Sequence, residues 1–386
     1  MRHAVSRLSL IAALSLAAPG LALAAPTAAD KIVASAPYKA AVSALDADHD
    51  RIVGEIITLV EIPAPPFKET ERAKAYMAML KDAGLTDVEM DEEGNVMGVR
   101  KGTAGGAKLT VIAAHLDTVF PEGTPIKVKR EGTKLSAPGI GDDTRSLAVL
   151  LGYIRAMNKA GVKTKNDILF VGNVGEEGPG DLRGVRYLFT KGKYKDRIGN
   201  FISMDGTDPS RVVNGGVGSK RYKVTFNGPG GHSYGAFGLV NPMTAMSQAV
   251  VDLYKIQLPA KPRVTYSASV TGGGTSVNSI PNSVWMEFDM RSESPEELAK
   301  LHDQFLKIIP AAVEGENAAR STRQGKISAD IKPIGDRPGG STSPDTALVK
   351  NAQDAIRAHG MTPELQFSST DANMPMSLGI PGITIG

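Results

Sequence analysis

The sequence predicts an α/β fold in which a larger domain with a mixed sheet carries a smaller, inserted α+β domain. Between residues 109 and 204, strand-like apolar runs alternate with helical patterns, which is typical of parallel strands joined by helices. Between residues 215 and 332, the order changes to β-α-β-β-α-β, the ferredoxin-like order of an antiparallel sheet with two helices on one face. The α/β pattern resumes after residue 333, so the smaller domain interrupts the larger one.

The individual elements follow from hydrophobic periodicity and from the turn residues between the runs. Residues 25–50 are Ala-rich and are predicted to form a leader into the first helix. Helices are predicted where apolar residues recur at helical spacing, over residues 51–60, 69–83, 147–157, 182–190, 242–256, 295–309 and 346–359. Strands are predicted at short apolar or alternating runs, over residues 88–90, 96–100, 109–114, 168–174, 201–204, 222–226, 264–270, 284–290, 327–331 and 383–385.

Residues 1–24 have the pattern of a secretory signal. Arg2 and Arg7 give a positive start, residues 8–18 are apolar, and residues 22–24 form a small-residue cleavage site. An apolar stretch of about 11 residues is too short to cross a bilayer, which disfavours a membrane anchor. We therefore expect a periplasmic or secreted protein, with its larger domain formed by residues 25–214 and 333–386 and its inserted domain by residues 215–332.

Composition excludes several classes of function. The chain has no cysteine, which excludes disulfides, thiolate zinc ligands and a cysteine nucleophile. The formal net charge is only +3, and no basic stripe is interleaved with aromatic residues, so nucleic acid is not an expected partner. No segment after the signal is long and apolar enough to cross a bilayer, so no membrane association is expected after cleavage.

One histidine and several acidic residues follow the predicted strands of the larger domain. His115 and Asp117 follow residues 109–114, Glu176 and Glu177 follow 168–174, Asp205 follows 201–204, and Asp142 lies on the loop between the first two strands. Because reacting groups gather at the carboxyl ends of strands in open α/β sheets, we expect these side chains to converge. Each motif alone is more often an ordinary turn or a helix cap, and only the joint placement favours a site.

The residue types in this set are suited to two divalent metal ions. In the absence of thiolates, zinc prefers nitrogen and oxygen donors from His, Asp and Glu. A pair of metals about 3.5–4 Å apart needs a bridging carboxylate, and Asp142 is placed for this on a turn between strand and helix. His115 and Asp205 could complete one metal site, and Glu177 could begin the other.

Two further acidic residues are predicted to act beside the metals. Asp117 can accept the ring N–H of His115, which would fix the tautomer of the ligand. Glu176 lies beside a ligand without being needed as one, so it can act as a general base that takes a proton from water.

Five segments together resemble the di-zinc metallopeptidases, the family of glutamate carboxypeptidase, peptidase T (tripeptide aminopeptidase), aminoacylase, acetylornithine deacetylase and succinyl-diaminopimelate desuccinylase. These segments are residues 114–118, 138–143, 175–178, 203–206 and 228–233. The resemblance implies two Zn²⁺ ions, with Co²⁺ or Mn²⁺ as substitutes, held by the residues named above in the same roles. It also implies a cis peptide between Asp142 and Asp143.

The inserted domain resembles the family's lid and dimerisation domain, which implies a homodimer. His232 resembles the lid histidine that reaches the substrate carbonyl in the neighbouring subunit. Asn278 resembles a substrate-binding amide, and Arg291 and Arg337 resemble groups that hold a substrate carboxylate, a task that suits a pair of arginines. Surface ion pairs are the alternative interpretation of both arginines.

The chain departs from the family pattern in two places. Thr144, Arg145 and Ser146 stand where the family often has Lys and then Gly. The family's last zinc-ligating histidine lies a short way beyond the run at residues 378–382, and none of the six histidines of this chain occupies that position. We therefore expect either that the sequence is part of a longer chain or that its second metal site is incomplete.

The resemblance and the predicted site together indicate an exported zinc-dependent metallopeptidase that hydrolyses small peptides. An amidohydrolase that deacylates N-acyl amino acids with the same residues is one alternative. A catalytically inactive dimeric binding protein is the other.

Overall fold

The computed structural model describes residues 25–105 and 108–386. The predicted secretory signal at residues 1–24 lies outside the described residues. Among the helices of the described part, none has the length and apolar character needed to cross a membrane.

The described residues form ten α-helices and seventeen strands. The helices are α1 (Ala28–Ala34), α2 (Ala36–Ala47), α3 (His49–Val60), α4 (Thr70–Asp82), α5 (Arg145–Lys159), α6 (Arg183–Thr190), α7 (Pro242–Leu253), α8 (Pro295–Ala319), α9 (Ala347–Ala358) and α10 (Asn373–Ser377). The strands are β1 (Thr86–Met90), β2 (Val96–Arg100), β3 (Leu109–His115), β4 (Lys129–Glu131), β5 (Lys134–Ser136), β6 (Asp167–Asn173), β7 (Ile198–Met204), β8 (Arg211–Gly216), β9 (Gly218–Asn227), β10 (Gly231–His232), β11 (Val264–Gly273), β12 (Ser279–Ile280), β13 (Ser283–Ser292), β14 (Ser328–Arg337), β15 (Gly340–Ser341), β16 (Glu364–Ser368) and β17 (Gly382–Ile385).

The larger domain is built on one mixed sheet, as predicted. The strand order is β1-β2-β6-β3-β7-β17-β8-β15, and β16 pairs with β8. Strands β6, β3, β7 and β17 run parallel to one another, whereas β1, β2 and β8 introduce antiparallel pairs. Because β3, β6 and β7 are adjacent and parallel, their carboxyl ends meet at one edge of the sheet.

Helices cover both faces of this sheet. On one face, Tyr76 of α4 and Ile154 of α5 pack against Phe170 of β6 in a buried cluster. On the other face, Leu188 of α6 packs with Phe201 of β7 in a second cluster. Burial on both faces explains why the central strands are continuous apolar runs, the pattern that made them recognisable in the sequence.

The inserted segment forms a four-stranded antiparallel sheet in the order β11-β13-β9-β14. Helices α7 and α8 pack on one face, with Phe226, Phe288 and Phe305 in the shared core. This is the arrangement expected from the β-α-β-β-α-β order of the sequence. Strand β14 extends beyond the predicted boundary at residue 332, as far as Arg337.

The structure differs from the sequence prediction near the N-terminus, where the expected leader at residues 25–50 is helical. Thr27 and Asp30 form a capping box at the start of α1, and the Ser35 side chain caps α2. Helix α1 lies against α9, and α2 lies against α5. The leader prediction was wrong because it weighed the Ala-rich composition and overlooked these capping residues.

Arg72 on α4 fixes the chain as it leaves β3. Its side chain is buried, and Nη1 donates to the Leu116 carbonyl at 2.8 Å. Nε and Nη2 donate to the Ile62 carbonyl at 3.0 and 2.7 Å. Burial lowers the pKa of Arg72 to about 10, and Asp117 opposes this shift, so the guanidinium stays charged at neutral pH. Arg72 therefore joins the loop after α3 to the segment that follows His115.

Replacing Arg72 by Met would leave the Leu116 and Ile62 carbonyls without these donors. We expect the free energy of unfolding to fall by about 1–3 kcal/mol, the usual cost of unpaired buried acceptors. Urea unfolding followed by circular dichroism measures this change. Lys74→Met on the same helix is the matched control, because Lys74 is exposed and pairs with the likewise exposed Glu71. A loss no larger than that of the control would contradict this role for Arg72.

Candidate metal centre

The predicted ligands converge at the carboxyl edge of β3, β6 and β7. One ligand atom each of His115, Asp142 and Asp205 lie within 4.8 Å of one another. A second set, formed by His115, Glu176 and Glu177, meets the same limit. His115 is shared by both sets and ends β3, so the two candidate metal positions are adjacent.

Asp142 lies on the turn that precedes α5. Its Oδ1 is 2.9 Å from Nε2 of His115, and its peptide bond to Asp143 is cis, as the resemblance implies. The Asp142 side chain is 65% exposed, whereas the His115 side chain is 1% exposed. The imidazole therefore approaches from the protein interior and the carboxylate from the open side of the site.

Asp117 is buried behind the ligands and organises two strand ends at once. Nδ1 of His115 lies 3.0 Å from the Asp117 carbonyl oxygen and 3.6 Å from its Oδ1, so the carbonyl is the nearer acceptor. The carboxylate itself accepts from the amides of Glu176 and Glu177 at 3.0 and 2.8 Å. Asp117 thus holds the two glutamates against the histidine, a contact that the sequence did not indicate.

The electrostatics of the site favour a bound cation. Burial and the neighbouring Asp142 together raise the pKa of Glu177 to about 7. Burial also raises the pKa of Asp205, with Asp142 again contributing. Burial alone would lower the pKa of His115, but contacts with Asp117 and Asp142 outweigh it and raise this pKa. The carboxylates of the site therefore carry more negative charge than one imidazole can balance. Their oxygen atoms and the imidazole nitrogen are donors that fit zinc.

Sequence reasoning missed two buried polar residues beside this cluster. Asn173 ends β6, and its Nδ2 donates to Oδ2 of Asp371 at 2.8 Å. Burial raises the pKa of Asp371 to about 7, and its Oδ1 has no hydrogen-bond partner among the described residues. Asp371 lies in a polar segment that follows β16, and this position after a strand was the one signal available in the sequence.

Strands β13 and β14 bring the two predicted carboxylate-binding arginines opposite the same residue of β9, Ser219, but each arginine lies beside a different carboxylate of the chain. Nη1 of Arg337 donates to Oε1 of Glu176 at 3.0 Å. Nε of Arg291 donates to Oδ2 of Asp289 at 2.7 Å. Arg337 is 5% exposed, so its ion pair is buried rather than superficial. The two arginines do not bind a common carboxylate, as they would if they held one substrate carboxylate as a pair.

His232 and Asn278 lie together on the surface of the inserted domain. Strand β10 pairs with β12 there, and the Ser233 amide donates to the Asn278 carbonyl at 2.9 Å. Nδ1 of His232 accepts from the amides of Tyr234 and Gly235 at 3.2 and 3.4 Å. Because Nδ1 is the acceptor, the neutral ring carries its proton on Nε2, which can then donate to another molecule.

The family of the chain follows from comparison with known proteins. The family model for peptidase family M20/M25/M40 matches residues 111–386, which include all the converging ligands. The chain belongs to this family. It is therefore a metal-dependent hydrolase, as predicted, and the family resemblance seen in the sequence is confirmed.

Solved structures with the same fold include several peptidases. Aminopeptidase PepT from Bacillus cereus is 21% identical with a TM-score of 0.69, covering 87% of this chain and 90% of that chain. The di-peptidase Dug1p from Saccharomyces cerevisiae is 16% identical with a TM-score of 0.71, covering 91% and 92%. The YXEP protein of Bacillus subtilis, described as a dinuclear metal binding peptidase, is 17% identical with a TM-score of 0.63, covering 88% of both chains. At these identities, the likeness establishes the shared fold.

Elemental analysis of the purified protein after equilibrium dialysis against zinc tests the metal centre. For the wild-type full-length protein we expect about two ions per chain, because two adjacent candidate ligand sets are present. His115→Ala and Asp205→Ala should each retain clearly less metal. His359→Ala is the matched control, since His359 contacts Tyr38 away from the cluster. Wild-type protein without zinc, or unchanged retention by His115→Ala, would contradict the assignment.

Proposed function

We propose that this chain is an exported, zinc-dependent metallopeptidase that hydrolyses the peptide bond of small peptides. The observation that carries the proposal is the convergence of two ligand sets that share His115, one with Asp142 and Asp205 and one with Glu176 and Glu177, in a member of a peptidase family. Nitrogen and oxygen donors without thiolates support zinc as the metal. The signal-like pattern of residues 1–24 supports export to the periplasm or the medium.

In this proposal, His115 and Asp205 would hold one ion, Glu177 would contribute to a second, and Asp142 would serve both. When bound, such ions lower the pKa of water and polarise the substrate carbonyl. Glu176 accepts the proton of the attacking water and returns it to the leaving nitrogen. Asp117 keeps Glu176 within reach of the site, because its carboxylate binds the Glu176 amide.

The inserted domain supplies substrate contacts in this proposal. His232 would donate its Nε2 proton to the carbonyl oxygen as negative charge develops there, and the Asn278 amide would bind the substrate beside it. Both residues are exposed on the inserted domain, whereas the ligands lie at the edge of the larger sheet. We therefore propose a homodimer in which the His232 side chain serves the neighbouring subunit.

Turnover of a panel of di- and tripeptides by full-length protein loaded with zinc tests the activity. Glu176→Gln keeps the size of the side chain but removes its basicity, so we expect turnover to fall by about 10²–10⁴-fold while zinc content stays near normal. Glu177→Gln is the matched comparison and should reduce zinc content instead. If Glu176→Gln cleaves peptides at the wild-type rate, Glu176 is not the base.

The same panel separates the peptidase from the amidohydrolase when N-acetyl amino acids are included. Faster turnover of the N-acetyl compounds would favour the deacylase. Zinc-loaded wild-type protein that hydrolyses neither class would favour the inactive binding protein.

Complementation between two inactive variants tests the shared site. We expect His232→Ala and Glu176→Ala proteins to regain part of the activity when mixed, because one of the two sites in each heterodimer then combines Glu176 of the His232→Ala subunit with His232 of the other subunit. Recovered turnover is measured after subunit exchange has been verified by native mass spectrometry. Verified heterodimers without recovered activity would show that His232 is not supplied across the interface.

A further inference from the structure

Two short crossings connect the inserted domain to the larger domain. The first crossing, residues 216–218, leads from β8 into β9, and the second crossing, residues 337–340, leads from β14 into β15. The two crossings are in close contact, because a Cβ atom added to Gly218 would lie only 2.9 Å from the backbone nitrogen of Gly339. At this point backbone packs against backbone, and a side chain on Gly218 would force the crossings apart.

Asn373, the first residue of α10, binds both crossings with one side-chain amide. Its Nδ2 donates to the Val217 carbonyl at 2.8 Å and to the Pro338 carbonyl at 2.9 Å. Its Oδ1 accepts the Thr370 amide at 3.0 Å. The side chain is fully buried, and the amide has two N–H donors, of which each crossing takes one. Asn373 therefore joins the two crossings to each other and to the larger domain.

The segment that carries Asn373 is itself anchored to the larger sheet. The hydroxyl oxygens of Thr370 and Thr384 lie 2.7 Å apart, which ties the segment to β17. Oδ2 of Asp371 accepts from Nδ2 of Asn173 at 2.8 Å, which ties it to the end of β6. All four of these side chains are buried. The Asn373 amide therefore holds both crossings against a part of the larger domain that two strands keep in place.

Two other contacts at the crossings each hold one of them. The Val217 amide donates to the Ser368 carbonyl at 2.9 Å and fixes the first crossing. Arg337 binds Glu176 and fixes the second crossing. Asn373 differs from both, because its two bonds together depend on the spacing between the crossings. A movement of one crossing relative to the other would break one of these bonds and leave a partly buried carbonyl without its donor, which costs free energy.

We propose that Asn373 is a positioning residue that fixes the orientation of the inserted domain relative to the metal ligands of the larger domain. Turning the inserted domain moves the crossings against each other, and the Asn373 amide opposes this movement. The inserted domain carries His232 and Asn278, so the same amide sets where these two residues are presented. The consequence for catalysis rests on the proposed peptidase function, whereas the fixed orientation of the domain does not.

The distance between two spin labels, measured by double electron–electron resonance, tests the orientation directly. The chain has no cysteine, so Asn351→Cys on α9 and Gln304→Cys on α8 introduce one label into each domain at exposed positions. The labelled full-length protein is mixed with an excess of unlabelled protein, so that a dimer contains at most one labelled chain. The width and the mean of the distance distribution then report the orientation of the inserted domain within one chain.

In the Asn373→Ala variant, we expect the population of other domain orientations to rise about tenfold, because two hydrogen bonds that favour one orientation are lost. The distance distribution should become broader or shift. Asn95→Ala is the matched control, since Asn95 is equally buried and its Nδ2 donates to Asp91 and to the Gly184 carbonyl, both within the larger domain. This control should lose stability but keep the wild-type distances. Asn373→Ser has a single donor and replaces Asn373→Ala if that variant does not fold.

Dipeptide turnover in a double-mutant cycle tests the consequence for catalysis. We expect Asn373→Ala to lower kcat by about 10²-fold, the cost of a misplaced group. Combined with His232→Ala, it should cause a much smaller further loss, because the group that it positions is already absent.

A wild-type distance distribution in the Asn373→Ala variant would overturn the proposal, as would an equal broadening in Asn95→Ala. Losses of kcat that multiply fully in the double variant would overturn the positioning of His232. If the wild type hydrolyses no peptide, the proposed function fails, but the distance measurements still decide whether Asn373 fixes the domain.

Discussion

The site depends on the buried carboxylate of Asp117. One oxygen accepts the Glu176 amide, the other accepts the Glu177 amide, and the backbone carbonyl of Asp117 lies against the His115 ring. An asparagine could not replace it without loss, because its amide nitrogen would face a backbone N–H and both would be donors. The Asp117 carboxylate is therefore needed because it has two acceptor oxygens and because it raises the pKa of His115. Asp117 thereby links the segment that follows β3 to the segment that follows β6.

The buried acidic residues around this carboxylate outnumber the cationic side chains that contact them. Arg72 lies behind Asp117 and contacts backbone carbonyls, whereas Arg337 contacts Glu176. Asp143 is also fully buried, and its Oδ2 accepts the His115 amide. With so many acids and so few cations, divalent ions are the natural counter-charge, and their removal would leave like charges facing one another. The same crowding that makes the site a good metal centre makes it costly without metal.

Much of the architecture was predictable from local patterns. The strand ends at His115 and Asp205 were correctly placed because buried parallel strands are uninterrupted apolar runs followed by polar turns. Helix α8 is longer than predicted and continues past Pro310, and the leader was in fact two helices. Boundaries of this kind are decided by capping and packing, which apolar periodicity does not record.

The contacts missed by sequence reasoning are those that join distant segments. Arg337 meets Glu176 across 161 residues, and Asn173 meets Asp371 across 198. Neither pair has a local motif, since each depends on how the sheet and the inserted domain bring the chain back upon itself. Strand β17 shows the same dependence most fully, because its four residues join β7 to β8 in the middle of the sheet. During synthesis, the two halves of the sheet must wait for these late residues, so the catalytic domain has a high contact order and is expected to complete its fold slowly. Under the proposed export, such a delay would keep the chain unfolded while it reaches the translocation machinery.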